Sequence, residues 1–151
     1  SAITGLPAGV GGKVLQVVAA TDSTERSTSS TSFVTASNTL SVNITPSSTS
    51  SKIFIISTFS GGNWTGGSNS AYYTIYRDST NLAVGNNGMA SVRADGGGSG
   101  GIIPTSVSKV DTPNTTSQIT YQIYVRSDSS TVAINNRASI TGTIVAMEIG
   151  A

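Results

Sequence analysis

The segment Gln118–Arg126, with the sequence QITYQIYVR, decides the fold class. From Ile119 to Val125 every second side chain is apolar or aromatic, whereas Gln118, Thr120 and other alternate positions face the opposite way. A period of two is typical of a β-strand with one face buried and the other open to solvent. We therefore predict a half-buried strand of the kind found in antiparallel sheets.

Short runs of β-branched and aromatic residues recur on both sides of this segment, separated by turn-forming residues. The pattern predicts an all-β protein without significant helix, an antiparallel β-sandwich of about eight to ten strands and most simply a jelly roll. The other runs that we interpret as strands are Lys13–Ala20, Ser32–Ala36, Leu40–Ile44, Lys52–Phe59, Ala71–Arg77, Asn81–Gly85, Ile102–Val110, Thr131–Asn135 and Ser139–Ile149.

The segments between these runs divide the chain. Residues 1–12 are rich in Gly and contain Pro7, so we interpret them as an extended arm or linker. Residues 13–151 are predicted to form a single domain. Within that domain Thr21–Thr31 is predicted to be a polar loop, and Gly61–Ser70 and Gly85–Gly101 are predicted to be glycine-rich loops.

The composition excludes several classes of function. Ser and Thr supply 47 of the 151 residues, and the chain has neither Cys nor His. It therefore cannot form disulfides, thiolate nucleophiles, histidine-based catalytic dyads or the usual zinc sites. A net charge of +1 gives no basic footprint for nucleic acid. The densest apolar run, Ile53–Ile56, is far shorter than the roughly 20 residues that span a bilayer, so no membrane insertion is expected.

Charged residues make up only 10% of the chain, against roughly 25% in an average soluble domain. Sheet edges are commonly protected by charged side chains, and few are present here. We therefore expect the protein to cover some edges and apolar faces by forming an oligomer.

Catalysis, cofactors and metal sites are not predicted. Glycoside hydrolysis needs two carboxyl groups across a cleft, and calcium needs several closely spaced oxygen ligands. Glu148 shares a strand face with Ile144 and Ala146, and we interpret it as a structural partner of an arginine. The acidic residues in predicted turns, where aspartate commonly bonds its own backbone, are Asp78, Asp95, Asp111 and Asp128.

The class of function that these exclusions leave is recognition of a receptor or ligand by surface contact. The single tryptophan, Trp64, lies between two Gly-Gly pairs, and aromatic side chains on loops stack on sugars and form binding hot spots. The alternative is that Trp64 packs over the end of the sandwich or between subunits. The five tyrosines are interpreted mainly as packing residues. The candidate receptor-contact residues are Asn63, Trp64, Asn69, Asn86, Asn87, Arg93 and Asp95.

Five phrases, in this order and spacing, resemble a domain of tail-fibre and other virion structural proteins of tailed bacteriophages, especially marine cyanophage-like ones. The resemblance covers nearly the whole chain from Gly12. It implies a β-rich, usually trimeric module on the surface of the phage particle that often contacts the host, and it supplies no catalytic residues. The phrases are Gly12–Val18, Leu40–Ile53, Tyr76–Thr80, Asp111–Ser117 and Ala146–Ile149.

Three functions are compatible with these features. The first is a non-enzymatic virion module that attaches to a host cell-surface glycan through its glycine-rich loops, as a homotrimer in contact with other virion proteins. The second is an architectural virion protein, such as a capsid decoration, collar or fibre-shaft subunit, without a receptor role. Its arm would dock onto the particle through Ile3, Leu6, Pro7 and Val10. The third is a carbohydrate-binding module attached to an enzyme.

Overall fold

The computed structural model describes residues 12–63, 69–94, 102–134 and 140–150. These residues form eleven β-strands and no helix, so none of them belongs to a helix that could cross a membrane. The strands are β1 (Val14–Asp22), β2 (Arg26–Thr28), β3 (Ser41–Ile44), β4 (Lys52–Asn63), β5 (Asn69–Arg77), β6 (Thr80–Asn81), β7 (Ala90–Ala94), β8 (Ile102–Asp111), β9 (Ile119–Ser127), β10 (Val132–Ile134) and β11 (Gly142–Ile149).

The strands form two antiparallel sheets. In the first sheet β1 pairs with β11 and β2 pairs with β10, while β11 and β10 both pair with β4, which also pairs with β8. The second sheet has the order β3-β9-β5, with β6 and β7 both paired to β5. β1 and β2 occupy one edge of the first sheet, paired with β11 and β10, which lie one after the other along β4.

The pairing is nested along the chain. The first strand pairs with the last, β3 with β9, β4 with β8 and β5 with β7. This is the arrangement of an eight-stranded jelly roll, in which a folded-over ribbon is rolled into two sheets. The predicted antiparallel β-sandwich is confirmed.

The core lies between the two sheets and follows the predicted alternation. In β9 the side chains of Tyr121, Ile123 and Val125 are fully buried, whereas Gln122 and Tyr124 are partly exposed on the outer face. The strand QITYQIYVR therefore behaves as its period of two predicts. Burying a side chain the size of Ile123 stabilises the fold by about 1.5–3 kcal/mol relative to leaving it in water.

The segment Ser32–Ala36 is not a strand, and that prediction was wrong. Only Val34 bridges to β9, at Val125, and the backbone then turns through Ala36 and Ser37 with positive φ angles of 49° and 58°. The strand lies earlier, at Arg26–Thr28, inside the segment predicted as a loop. Its three residues pair with β10, so a contact distant in sequence makes them extended.

The glycines at the end of β4 were also misread as part of a loop. β4 continues through Gly61 and Gly62, because the ring of Tyr73 packs directly against this backbone. A Cβ on Gly61 would lie 2.8 Å from Oη of Tyr73. The amide of Gly62 donates to that oxygen at 3.0 Å, and Tyr73 in turn donates to the carbonyl of Ala133. These glycines permit close packing.

Two acidic residues differ from their predicted environments. Asp111 is the buried last residue of β8 and pairs with Arg77 at 2.9 Å, instead of bonding its own turn. Glu148 does share the inner face with Ile144, as predicted, but it is held by hydrogen bonds from Ser47 and Gln16 rather than by an arginine. A buried carboxylate needs donors, and backbone or hydroxyl groups can supply them without a positive charge.

Candidate functional site

An aromatic cluster covers part of the outer face of the second sheet. Alternate residues of β5 and β9 point outward, and the register places Tyr72 opposite Arg126 and Thr74 opposite Tyr124. The rings of Tyr76 and Tyr124 stack with their centroids 3.9 Å apart and their planes 19° from parallel. Diagonal neighbours on one sheet face are within reach of aromatic side chains, so this pair follows directly from the register.

Arg126 joins the two ends of the cluster. Its guanidinium carbon lies 4.1 Å from the centroid of the Tyr72 ring and 5.5 Å from that of Phe33. Phe33 is brought there by the bridge between Val34 and Val125, and its ring lies 6.3 Å from that of Tyr76. A guanidinium over an aromatic face is favourable and orients the arginine while leaving donors at its edge.

The loop between β6 and β7 closes one side of the cluster. Nε of Arg126 donates to the carbonyl of Asn86 at 2.8 Å, and its Nη2 lies 3.5 Å from Oδ1 of Asn87. The amide of Met89 donates to the carbonyl of Tyr73 at 2.7 Å and anchors the loop to β5. A groove of about 380 Å³ results, lined by Thr31, Ser32, Phe33, Asn86 and Arg126.

Gly88 is required for this closure. Its φ angle is +67°, and a Cβ there would lie 2.5 Å from the carbonyl oxygen of Tyr73 and 3.1 Å from the ring of Phe33. We expect Gly88→Ala to lower the free energy of unfolding by about 2–3 kcal/mol, measured by urea denaturation, because backbone strain and a clash combine.

Gly85 offers a matched control in the same loop. Its φ angle is +84°, but nothing lies within 4 Å of the position of a Cβ. Gly85→Ala therefore carries only the backbone cost, about 1–2 kcal/mol. Equal losses in the two variants would show that close approach at Gly88 does not matter.

The groups that line the groove suit reversible, noncovalent binding of a ligand. Burial, and then the neighbouring Tyr124, raise the pKa of Tyr76, so its hydroxyl stays neutral at physiological pH. The lining offers hydroxyls, an amide, an arginine and one apolar ring. No group of three or more potential metal-ligating side chains occurs in the described part of the chain. Such a surface can hydrogen-bond to a hydroxyl-rich ligand while packing against its apolar face.

The structure places the predicted contact residues in different positions. Asn86 and Asn87 lie at the groove, beside Arg126. Asn69 begins β5 and accepts a hydrogen bond from Ser129, and Arg93 is exposed on β7. Asn63 ends β4, but its side chain is not among the described parts. Also outside the described residues lie Trp64, Asp95 and the arm residues Ile3, Leu6, Pro7 and Val10.

The aromatic half of the site was not predicted from the sequence. Two of the five tyrosines, Tyr73 and Tyr121, are fully buried packing residues, as predicted. The other three are partly exposed on the outer face: Tyr72, Tyr76 and Tyr124. The alternation in Ala71–Arg77 contained this signal, because every second residue of a strand in a sandwich points away from the core. It could not show that Phe33 and Arg126 join them.

Comparisons with solved structures give likenesses, one of which is to a virus particle protein. The VP2 subviral particle of infectious bursal disease virus superposes with a TM-score of 0.47 and 15% sequence identity. The match covers 89% of this chain and 33% of the VP2 chain, so this chain spans about a third of that protein. No protein-family model and no curated protein matches the sequence, and the resemblance to phage virion domains stays a prediction.

Proposed function

We propose that the protein is a non-enzymatic structural module of a phage virion that attaches to a host cell-surface glycan through the groove on its second sheet. The observation that carries this proposal is the outward-facing cluster in which Arg126 lies over Tyr72 beside the Asn86 loop. In this proposal the glycine-rich loops are not the main contact surface. The protein acts on the particle surface as a homotrimer, together with other virion proteins.

The groove suits a neutral or weakly charged sugar. Phe33 supplies an apolar ring for the C–H face of a pyranose, and Thr31, Ser32 and Asn86 supply partners for its hydroxyl groups. A single contact area of this size binds weakly. Three copies in one trimer raise the apparent affinity by orders of magnitude if they engage one surface together.

The test is binding of the full chain to an array of bacterial surface polysaccharides. We expect the wild type to bind at least one of them and Arg126→Ala to bind it at least tenfold more weakly, the equivalent of about 1.4 kcal/mol. Arg126→Lys keeps the charge but not the planar fork and is expected to fall between the two.

Lys52→Ala is the matched control, since Lys52 is an exposed cation on the opposite sheet. It should bind as the wild type does. Undiminished binding by a folded Arg126→Ala variant would place the contact surface elsewhere, with the predicted loop residues as the next candidates.

The architectural function is the second candidate, and the apolar outer face of the first sheet favours it. Leu15, Val17 and Val110 are each at least half exposed in the isolated chain, which is expected of a surface covered in an assembly. Absence of binding by the wild type to every polysaccharide on the array would favour this function over attachment.

A further inference from the structure

The outer face of the first sheet is apolar across its full width. The register aligns Val17, Met147, Phe54 and Val110 in one row over four strands. All four point away from the core, since the inner face of β11 is formed by the alternate residues, such as Ala146. An antiparallel sheet with one solvated face normally carries polar side chains there.

The next row repeats the pattern. Ala19, Val145 and Ile56 lie side by side on β1, β11 and β4, and only the fourth member, Ser108 on β8, is polar. We call the resulting surface the apolar face and define it by Leu15, Val17, Ala19, Phe54, Ile56, Val110, Val145, Met147 and Ile149.

The two sheets differ in this respect. The outer face of the second sheet shows Ser41 and Asn43 on β3 and Thr120 and Gln122 on β9, next to the aromatic groove. The same chain therefore places polar residues outward on one sheet and apolar residues outward on the other. Exposed side chains on the apolar face include Leu15 at 50%, Val17 at 56% and Val110 at 51%.

The apolar face is large enough for a specific interface. Its three apolar rows and the row of threonines that borders them span about eight residues on four strands about 4.8 Å apart, which at about 3.4 Å per residue is roughly 500 Å². Covering it with an equal area of a second copy removes roughly 1,000 Å² from water, the area at which specific interfaces begin. Beyond a row of threonines the surface continues into an apolar cleft of about 240 Å³ that includes Ile102, Pro104 and Ile140.

Polar groups border this surface instead of interrupting it. Thr21, Thr143 and Thr58 form the row at one end, and Lys52 lies at the other. An apolar centre with a polar rim is the usual anatomy of a protein interface. No acidic residue belongs to the apolar face, and a second copy would bring no repulsion to its centre.

We propose that the apolar face is the surface through which copies of this chain associate, so that the occupant of the face on one chain is a second copy. The low charge of the sequence predicts an oligomer, and the apolar face gives that oligomer a location. The proposal does not depend on glycan binding, because the groove lies on the other sheet.

The test is the mass of the full chain in solution, measured by light scattering at tens of micromolar. We expect a wild-type mass that is a multiple of the 15.2 kDa chain and a monomer for Val17→Glu. Val17 is already 56% exposed in the single chain, so the change should leave the fold intact, which circular dichroism verifies. Val84→Glu is the matched control, because Val84 is 98% exposed away from the apolar face.

A monomeric wild type, or a Val17→Glu variant that keeps the wild-type mass, would overturn the proposal. So would a chain that associates only after residues 1–11 are removed, since the arm would then be the occupant of the face. Glycan binding is tested separately with Arg126→Ala on the other sheet, which is expected to keep the wild-type mass. A wild type that associates but binds no glycan counts against the groove and not against the apolar face.

Discussion

Replacing Asp111 with alanine is expected to lower the free energy of unfolding by about 4 kcal/mol, the range seen when one partner of a buried ion pair is removed. Nη1 of Arg77 donates to both carboxylate oxygens, at 3.0 and 2.9 Å, and Oη of Tyr121 donates to one of them at 2.6 Å. Arg77 ends β5 and Asp111 ends β8, so this cluster ties the second sheet to the first.

The loss of stability comes mainly from the two groups that lose Asp111 as their partner. Tyr121 is fully buried, and without Asp111 its hydroxyl has lost its acceptor inside the core. Burial, and then the hydrogen bond to Asp111, raise the pKa of Tyr121, so the hydroxyl is protonated and must donate. The side chain of Arg77 is only 26% exposed, and its charge would be poorly hydrated without its partner.

Urea denaturation of a small variant set separates these contributions. Tyr121→Phe removes only the hydroxyl and is expected to cost about 1 kcal/mol. Asp111→Ala in an Arg77→Met background should cost at least 1 kcal/mol less than in the wild type, because no stranded charge remains. Strictly additive losses in this cycle would mean that Arg77 and Asp111 do not stabilise one another.

Much of the sandwich could be predicted because its strands are marked by local sequence patterns. The alternation in Gln118–Arg126 fixes which side chains enter the core, and that is a property of one strand. The failures at Ser32–Ala36 and Arg26–Thr28 concern segments whose conformation depends on a partner strand far away in sequence. The loop prediction at Gly61 failed for a similar reason. Packing of the Tyr73 ring fixes the backbone there, whereas composition alone suggests flexibility.

The same holds for the candidate site: its local features could be predicted from the sequence, but its contacts between distant segments could not. Asn86 and Asn87 could be singled out because polar residues in a glycine-rich loop are common contact residues. Their association with Phe33 and Arg126 depends on β5 and β9 being neighbours and on the bridge at Val34. A single sequence gives the two faces of each strand but not the order of strands in the sheet, and so it cannot assemble this groove.

Changing Glu148 to glutamine is expected to lower the free energy of unfolding by about 3 kcal/mol at neutral pH, about 1 kcal/mol for each hydrogen bond that loses its charged acceptor. The fully buried carboxylate accepts from N and Oγ of Ser47, at 2.7 and 2.6 Å, and from Nε2 of Gln16 at 2.6 Å. In a glutamine an NH2 group replaces one carboxylate oxygen, so two hydrogen-bond donors would face each other. Gln16 cannot simply flip, since its Nε2 also donates to the carbonyl of Thr45 at 2.7 Å.

The same contacts predict how the loss depends on pH. Burial acts to raise the pKa of Glu148, but the hydrogen bonds from Ser47 and Gln16 outweigh it and lower the pKa from 4.5 to about 2. Because the folded carboxyl group binds its proton less readily than the unfolded one, its ionised form contributes stability in full above pH 4.5. That contribution is lost as the pH falls from about 4.5 to about 2.

Urea denaturation of wild type and Glu148→Gln at several pH values between 7 and 2 measures this dependence, and the difference between the two proteins isolates Glu148. Asp22 and Asp128 also have lowered pKa values and weaken the fold in acid, but they do so equally in both proteins. The gap between wild type and variant should therefore shrink toward zero at pH 2. Glu25→Gln, the same change at an exposed position, should cost less than about 0.5 kcal/mol. If the gap at position 148 stays constant from pH 7 to pH 2, the hydrogen bonds to its ionised form contribute nothing to stability.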